Sequence, residues 1–176
     1  MAKQSYSQKK RYSHAEMQSW LFQVARRASS DTARDILLKD VRPRKSLTVI
    51  GKMYFFKYDP KWKATLPKYD MFPLVFVLEG YPDGFLGLNL HYLSVSERSA
   101  LIDELWEYAN NNKMDDSTKL LISYRRIKAA SLVFALARPC VKRYLFTHVR
   151  SKFIEVYPAE WDKAAQLNVA DFVYAA

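Results

Sequence analysis

Between Met53 and Leu93 the chain reads MYFFKYDPKWKATLPKYDMFPLVFVLEGYPDGFLGLNLHYL, and no other stretch restricts the fold as much. Short aromatic and aliphatic runs broken by Pro and Gly favour strands and tight turns over helices. Met53–Tyr58 reads as one strand. Leu74–Glu79, nearly continuous in apolar residues, reads as a second, buried on both faces. Gly80-Tyr81-Pro82-Asp83-Gly84 is a turn, and Phe85–Leu93 follows as a third strand. In that strand Leu86, Leu88, Leu90 and Tyr92 share one face, and Phe85, Gly87, Asn89, His91 and Leu93 the other. Gly87 allows another backbone or a bulky ring to come close. Upstream, Leu47–Val49 adds a short strand, with Gly51 as a bend. Asp59-Pro60 and Leu66-Pro67 bracket a loop.

Helical periodicity takes over elsewhere. Met17, Trp20, Leu21, Val24 and Ala28 fall on one helical face. Ser29-Ser30-Asp31 can cap a second helix through Ala33, Ile36 and Leu37, which Arg42-Pro43 stops. Ser94 or Ser96 caps a further helix with Glu97 in its first turn and Leu101, Ile102, Leu105, Trp106 and Ala109 on its apolar face. Leu120–Ser123 reads as a short strand, residues 124–136 as a helix, and Pro139 as the start of another helical turn through Tyr144 and Leu145. Arg150–Tyr157 alternates as a late strand, and Pro158 opens a short helix. The class is α+β: a small antiparallel barrel or sheet, of Src-homology-3-like or Sm-like form, decorated with helices. The late strand would close a barrel; an open antiparallel sheet with helices on one face is the alternative. The division is a basic disordered arm at 1–13, a helical segment and linker at 14–46, and one core domain at 47–176.

The net charge of +10 is unevenly placed. Residues 1–63 carry 15 Lys/Arg against 5 Asp/Glu, residues 64–116 carry 3 against 9, and residues 117–152 carry 9 basic residues and no acidic one. Basic blocks of this kind meet polyanions or acidic proteins. The single cysteine, Cys140, excludes an intrachain disulfide and a cysteine zinc cluster. No apolar run approaches the roughly 20 residues of a membrane span, and the basic N-terminus lacks the apolar core of a signal peptide.

Catalytic chemistry finds little material. His14, His91 and His148 are not at ligand spacing, so no metal or cofactor is expected. Asp59, Asp70 and Asp83 near Lys61 could converge as a magnesium nuclease site, but each also sits in a turn context that explains it. Cys140 beside Lys142 and Arg143 could be an activated thiol; buried and inert is the plainer reading. Four glycines leave no phosphate-cradling loop. Binding is better supported. Arg125, Arg126, Lys128, Arg138, Lys142, Arg143, Arg150 and Lys152 interleave with Tyr124, Phe134, Tyr144 and Phe146. Lys9, Lys10 and Arg11 in the arm, and Arg42, Arg44 and Lys45 in the linker, add to them. Such cations neutralise phosphates and rings can stack on unpaired bases, although helical spacing assigns most of these rings to the core. Phosphate contact alone is blind to sequence.

The segments IGKMYFFKYDPKWKATLPKYDMFPLVFVLE, DGFLGLNLHYLS, ISY, RPCVKRYL and EW occur in an order that resembles a family of T-even-like and marine contractile-tailed phages, the DNA end protector proteins. The resemblance covers roughly Ile50 to Trp161 and leaves residues 1–45 unmatched. It implies a non-enzymatic virion protein at the portal end of the packaged genome, made in the host cytoplasm. There it would shield a double-stranded DNA end from exonuclease, with other virion proteins as partners in a multi-subunit assembly. It assigns no functional residues. It favours architecture over catalysis for Tyr58, Asp59, Tyr69, Asp70, Gly84, Gly87, Asn89, His91 and Tyr92, with the Tyr58, Tyr69 and Tyr92 rings buried and their hydroxyls paired. A purely structural neck, tail or baseplate component docking onto acidic neighbours is the alternative function, and a nuclease of head completion the third.

Overall fold

A computed structural model describes residues 11–27, 52–109, 125, 140–168 and 172–175. The Leu47–Val49 strand, the 31–37 helix, the 120–123 strand and, Arg125 apart, the 124–136 helix all lie outside these residues.

Five strands form one antiparallel sheet in the order β5-β4-β3-β1-β6. They are β1 (Met53–Phe55), β3 (Leu74–Tyr81), β4 (Gly84–Asn89), β5 (Val141–Leu145) and β6 (Ile154–Val156). A separate pair joins β2 (Lys68–Asp70) to β7 (Val173–Ala175). The helices are α1 (His14–Arg27), α2 (Val95–Ala109) and the short α3 (Trp161–Ala165). The protein is therefore α+β. Among the described residues β5 and β6 are the two sheet edges, so the sheet is open by pairing.

Both faces of the sheet are nevertheless buried. The even positions of β3, Leu74, Phe76 and Leu78, join Met53, Phe55 and Leu88 beneath the helices, where Trp20, Ile102, Leu105 and Trp161 cover them. The odd positions, Val75 and Val77, join Tyr54, Phe56, Phe85 and Tyr144 on the other face, under Phe146, Val149 and Phe153. That second cover comes from the chain between β5 and β6. It runs back along the extension of β1: Lys57 O accepts from Arg150 N at 2.8 Å, His148 O accepts from Asp59 N at 2.9 Å, and Tyr58 bridges Val149. From Leu74 to Leu78 strand β3 thus has no polar face, as its apolar run predicts.

The cap expected at Ser94 is present, and α1 carries one of the same kind. Ser13 and Ser94 each accept from the amide three residues on, and Glu16 and Glu97 reach back to the Ser amides at 2.8 Å, a reciprocal capping box at the start of α1 and of α2. Three expectations are corrected. Strand β4 stops at Asn89, and Leu90–Tyr92 is a 3₁₀ turn, because the Asn89 side chain accepts from His91 N and bends the chain. The segment after Pro139 is not helical. Val141–Leu145 pairs along β4 from Leu88 to Gly84, and its alternation places Tyr144 inward and Arg143 outward. The late strand is real but short, three residues rather than the run from Arg150 to Tyr157.

Candidate functional site

The doubled Lys-Tyr-Asp does two different jobs. Tyr58-Asp59 lies where the chain leaves β1. The Tyr58 ring is buried, its hydroxyl accepts from Leu145 N at 3.2 Å, and partly exposed Asp59 pairs with Lys63 at 2.9 Å and Arg150 at 3.7 Å. Tyr69-Asp70 ends β2. Asp70 is buried and saturated: Oδ1 accepts from Phe72 N at 2.9 Å, and Oδ2 from Asn89 Nδ2 at 3.0 Å and His91 Nδ1 at 2.7 Å. Asn89 Nδ2 also donates to the Tyr144 hydroxyl at 3.1 Å. The network ties β2 to β4 and β5.

Above this network opens a cleft of about 280 Å³. Four segments line it: Tyr58 with Pro60, Lys61, Trp62 and Leu66; Lys68 to Asp70; Asn89 with Tyr92; and Lys142 to Leu145. The loop before β2 is held by its own backbone, since Trp62 O accepts from Thr65 N at 2.9 Å and Leu66 N at 3.0 Å. This leaves the Trp62 ring 63% exposed, with Lys61 Nζ 5.1 Å from its centroid. Lys142 Nζ sits 4.9 Å over the Tyr92 ring, and Arg143 lies 4.8 Å over Tyr81 while pairing with Asp83 at 2.7 Å.

Electrostatics favour an anion. Lys61, Lys68, Lys142 and Arg143 line the cleft against one carboxylate, Asp70, whose oxygens are already engaged. The phenols stay neutral: burial, then the Asp70 charge, pushes Tyr92 up to about 12 and Tyr144 well above the ordinary tyrosine value. Burial is also the largest cause raising Tyr58.

Of the residues singled out in the sequence, Lys142 and Arg143 reach this cleft; Tyr58, Tyr69, Asp70, Asn89 and Tyr92 line it with them. Arg11 and Arg125 are exposed elsewhere, as is Lys152. Arg150 donates to Thr147 O at 2.8 Å. Lys9, Lys10, Arg42, Arg44, Lys45, Arg126, Lys128 and Arg138 lie outside the described residues. Sequence reasoning missed Trp62 and Lys68 as parts of a site; the signal was Lys61-Trp62-Lys63, a large ring between cations in a polar loop. The interleaved rings Tyr144, Phe146 and Phe153 are core, while Tyr124 and Phe134 lie outside the described residues.

The nuclease arrangement is not assembled. Asp59, Asp70 and Asp83 each serve a different partner, and among the described residues no three His, Cys, Asp or Glu side chains come together to hold a metal. Cys140 is buried, and burial pushes its thiol up, more than Lys142 pulls it down. His148 is tied through Nδ1 to Asp59 O at 2.8 Å. Among the described residues no helix is long and apolar enough to cross a membrane.

A family model described as phage T4 terminal DNA protecting protein matches residues 6–175. The chain belongs to this family. Membership makes it a phage DNA-binding protein of the DNA end protector type. The match reaches well past the Ile50–Trp161 span of the sequence resemblance and takes in most of residues 1–45. No curated protein and no solved structure matches the chain.

Proposed function

We propose that this protein, without catalysing a reaction, grips the end of the phage genome through its phosphates, without reading sequence, and blocks exonucleases from the terminus. The observation that carries this reading is the cleft where Lys61, Lys68, Lys142 and Arg143 surround buried, neutral phenols beside the exposed ring of Trp62. Cations that meet phosphates supply affinity and no base discrimination, which suits a protein that must hold whatever sequence lies at the end. An exposed tryptophan offers a stacking surface for the last, easily unpaired base. The remaining basic residues, Arg125, Arg150 and Lys152 among them, extend the phosphate track away from the terminus, and the basic residues at the N-terminus add to it. The protein acts in the virion, at the portal end of the genome, in an assembly with other virion proteins.

The test is a salt titration of binding to a short linear duplex beside a closed circle of the same sequence. Each phosphate contact contributes about −0.9 to the log–log slope, so the four cleft cations alone give a steep fall. Preference for the linear form, with slowed exonuclease digestion, is the expected result. Equal binding of both forms removes end protection and leaves general DNA contact. Absence of binding near physiological salt moves the basic surfaces to protein neighbours.

A further inference from the structure

Resting on that reading, we propose that the cleft is a pocket for a terminal phosphomonoester, so that the protein recognises a phosphorylated DNA end rather than duplex phosphate in general. The Tyr58 hydroxyl accepts from Leu145 N and the Tyr144 hydroxyl from Asn89 Nδ2. Each oxygen is thus held by the fold, while its own proton has no acceptor among the described residues. The two rings meet edge to face with centroids 5.0 Å apart, and both line the cleft. Tyr92 lines it too, under the Lys142 ammonium.

Hydroxyl protons without an acceptor, among cations, suit an oxygen-rich anion. All three are ordinary neutral phenols at neutral pH, and burial only raises them further, so they are donors there. A phosphomonoester presents three terminal oxygens and a charge of about −1.5 to −2. A phosphodiester within a strand presents two such oxygens and one charge. The Asp70 carboxylate opposes an anion here, but Lys61, Lys68, Lys142 and Arg143 in the same lining outnumber it. Arg143 is available because its partner Asp83 is exposed, and exposed pairs hold weakly. The volume, about 280 Å³, is at the lower limit of small-ligand sites and admits one phosphate with its sugar. A strand end can enter such a space; a continuous duplex cannot.

The experiment measures binding of the full chain to linear duplexes of one sequence whose ends carry 5′-phosphate, 3′-phosphate or hydroxyl only. The expected result is about tenfold tighter binding to one phosphorylated form, the gain of one charge-assisted hydrogen bond set. Tyr58→Phe with Tyr144→Phe should bring that ratio to within about twofold. If the Tyr144 change unfolds the chain by orphaning Asn89, Tyr92→Phe and Lys142→Gln, at half-buried positions, serve instead and should reduce the same ratio. Equal binding of all three duplexes overturns the pocket and leaves end protection standing. Failure to bind any of them overturns the DNA-end reading, and this inference with it.

Discussion

Nδ1 of His91 lies 2.7 Å from Oδ2 of Asp70, with both side chains shut away from solvent at 0% and 3% exposure. The His91 ring packs on Phe172 with centroids 4.9 Å apart and near Phe55 at 6.0 Å. Asp70 therefore serves as the shared acceptor for β2, β4 and the 3₁₀ turn. Asp70→Ala should destabilise the fold by about 3 kcal/mol, because the donors on Asn89 and His91 lose their acceptor in a dry setting. Urea unfolding checks this, through a lower midpoint at unchanged slope. A change below about 0.5 kcal/mol would sink the structural role assigned to this pair.

The glycines form a graded series. A Cβ on Gly84 would sit 2.0 Å from the Tyr144 carbonyl oxygen, and one on Gly87 would sit 2.1 Å from Val75 Cγ1. Backbone cannot yield as a side chain can. Gly84→Ala should therefore cost the most, about 3 kcal/mol, and Gly87→Ala about 1–3 kcal/mol. Gly80→Ala, with nothing within 4 Å, should stay within about 0.5 kcal/mol. The order of the three melting midpoints is the readout.

Alkaline pH should separate the tyrosines. Tyr92 is raised from 10.0 to about 12, and Tyr58 and Tyr144 are raised as well, each chiefly by burial. Below pH 10 both folded and unfolded chains hold these phenols neutral, so their contribution to stability is fully present. As the pH rises the unfolded chain ionises first, and the Tyr92 contribution is lost between about 10 and about 12. A phenolate absorbance titration should show at least these three of the chain's 12 tyrosines ionising late, or only on unfolding. Simultaneous ionisation of all of them in folded protein would contradict the packing.

Trp62 and its flanking cations should separate stacking from charge. Trp62→Ala should leave stability within about 0.5 kcal/mol, since the ring is exposed. It should weaken binding to a frayed or single-stranded end by about 1–3 kcal/mol at unchanged salt slope. Lys61→Gln with Lys68→Gln should do the reverse, reducing the slope by about 0.9 per lysine. A Trp62 effect on slope and none on affinity would overturn the assignment.

Cys140 should be silent in the folded protein. It is buried, and burial raises its thiol against the smaller opposing effect of Lys142. A chromogenic disulfide reagent should react at once in denaturant and slowly in its absence; rapid reaction in native buffer would show that the site opens.

Much of the fold was legible in the chain. The unbroken apolar run at Leu74–Leu78 predicted a strand covered on both sides, and the two clusters that bury it are the result. The Ser94-Glu97 spacing predicted a capped helix. The segment around Val141–Leu145 reads as a helical turn because Pro139 opens helices and because Cys140 and Tyr144 are four residues apart. The same residues also alternate, and pairing with β4 decided between the two. Of the cleft, the sequence indicated the cations at Lys142 and Arg143 and the polar motif residues, but not their meeting with Trp62 and Lys68.

Sequence alone determined the local matters: which stretches extend or coil, where Ser-x-x-Glu starts a helix, where Pro-Asp turns the chain, and that the basic residues come in blocks. These depend on backbone preference and on side-chain period over a few residues. Only the tertiary structure decided that β1 lies between β3 and β6, that the chain after β5 folds across the second sheet face, and that Lys68, Tyr92 and Lys142 share a cleft. Each of these joins segments far apart in the chain through hydrogen bonds and complementary faces, and neither segment carries in its own residues a record of which partner it will meet.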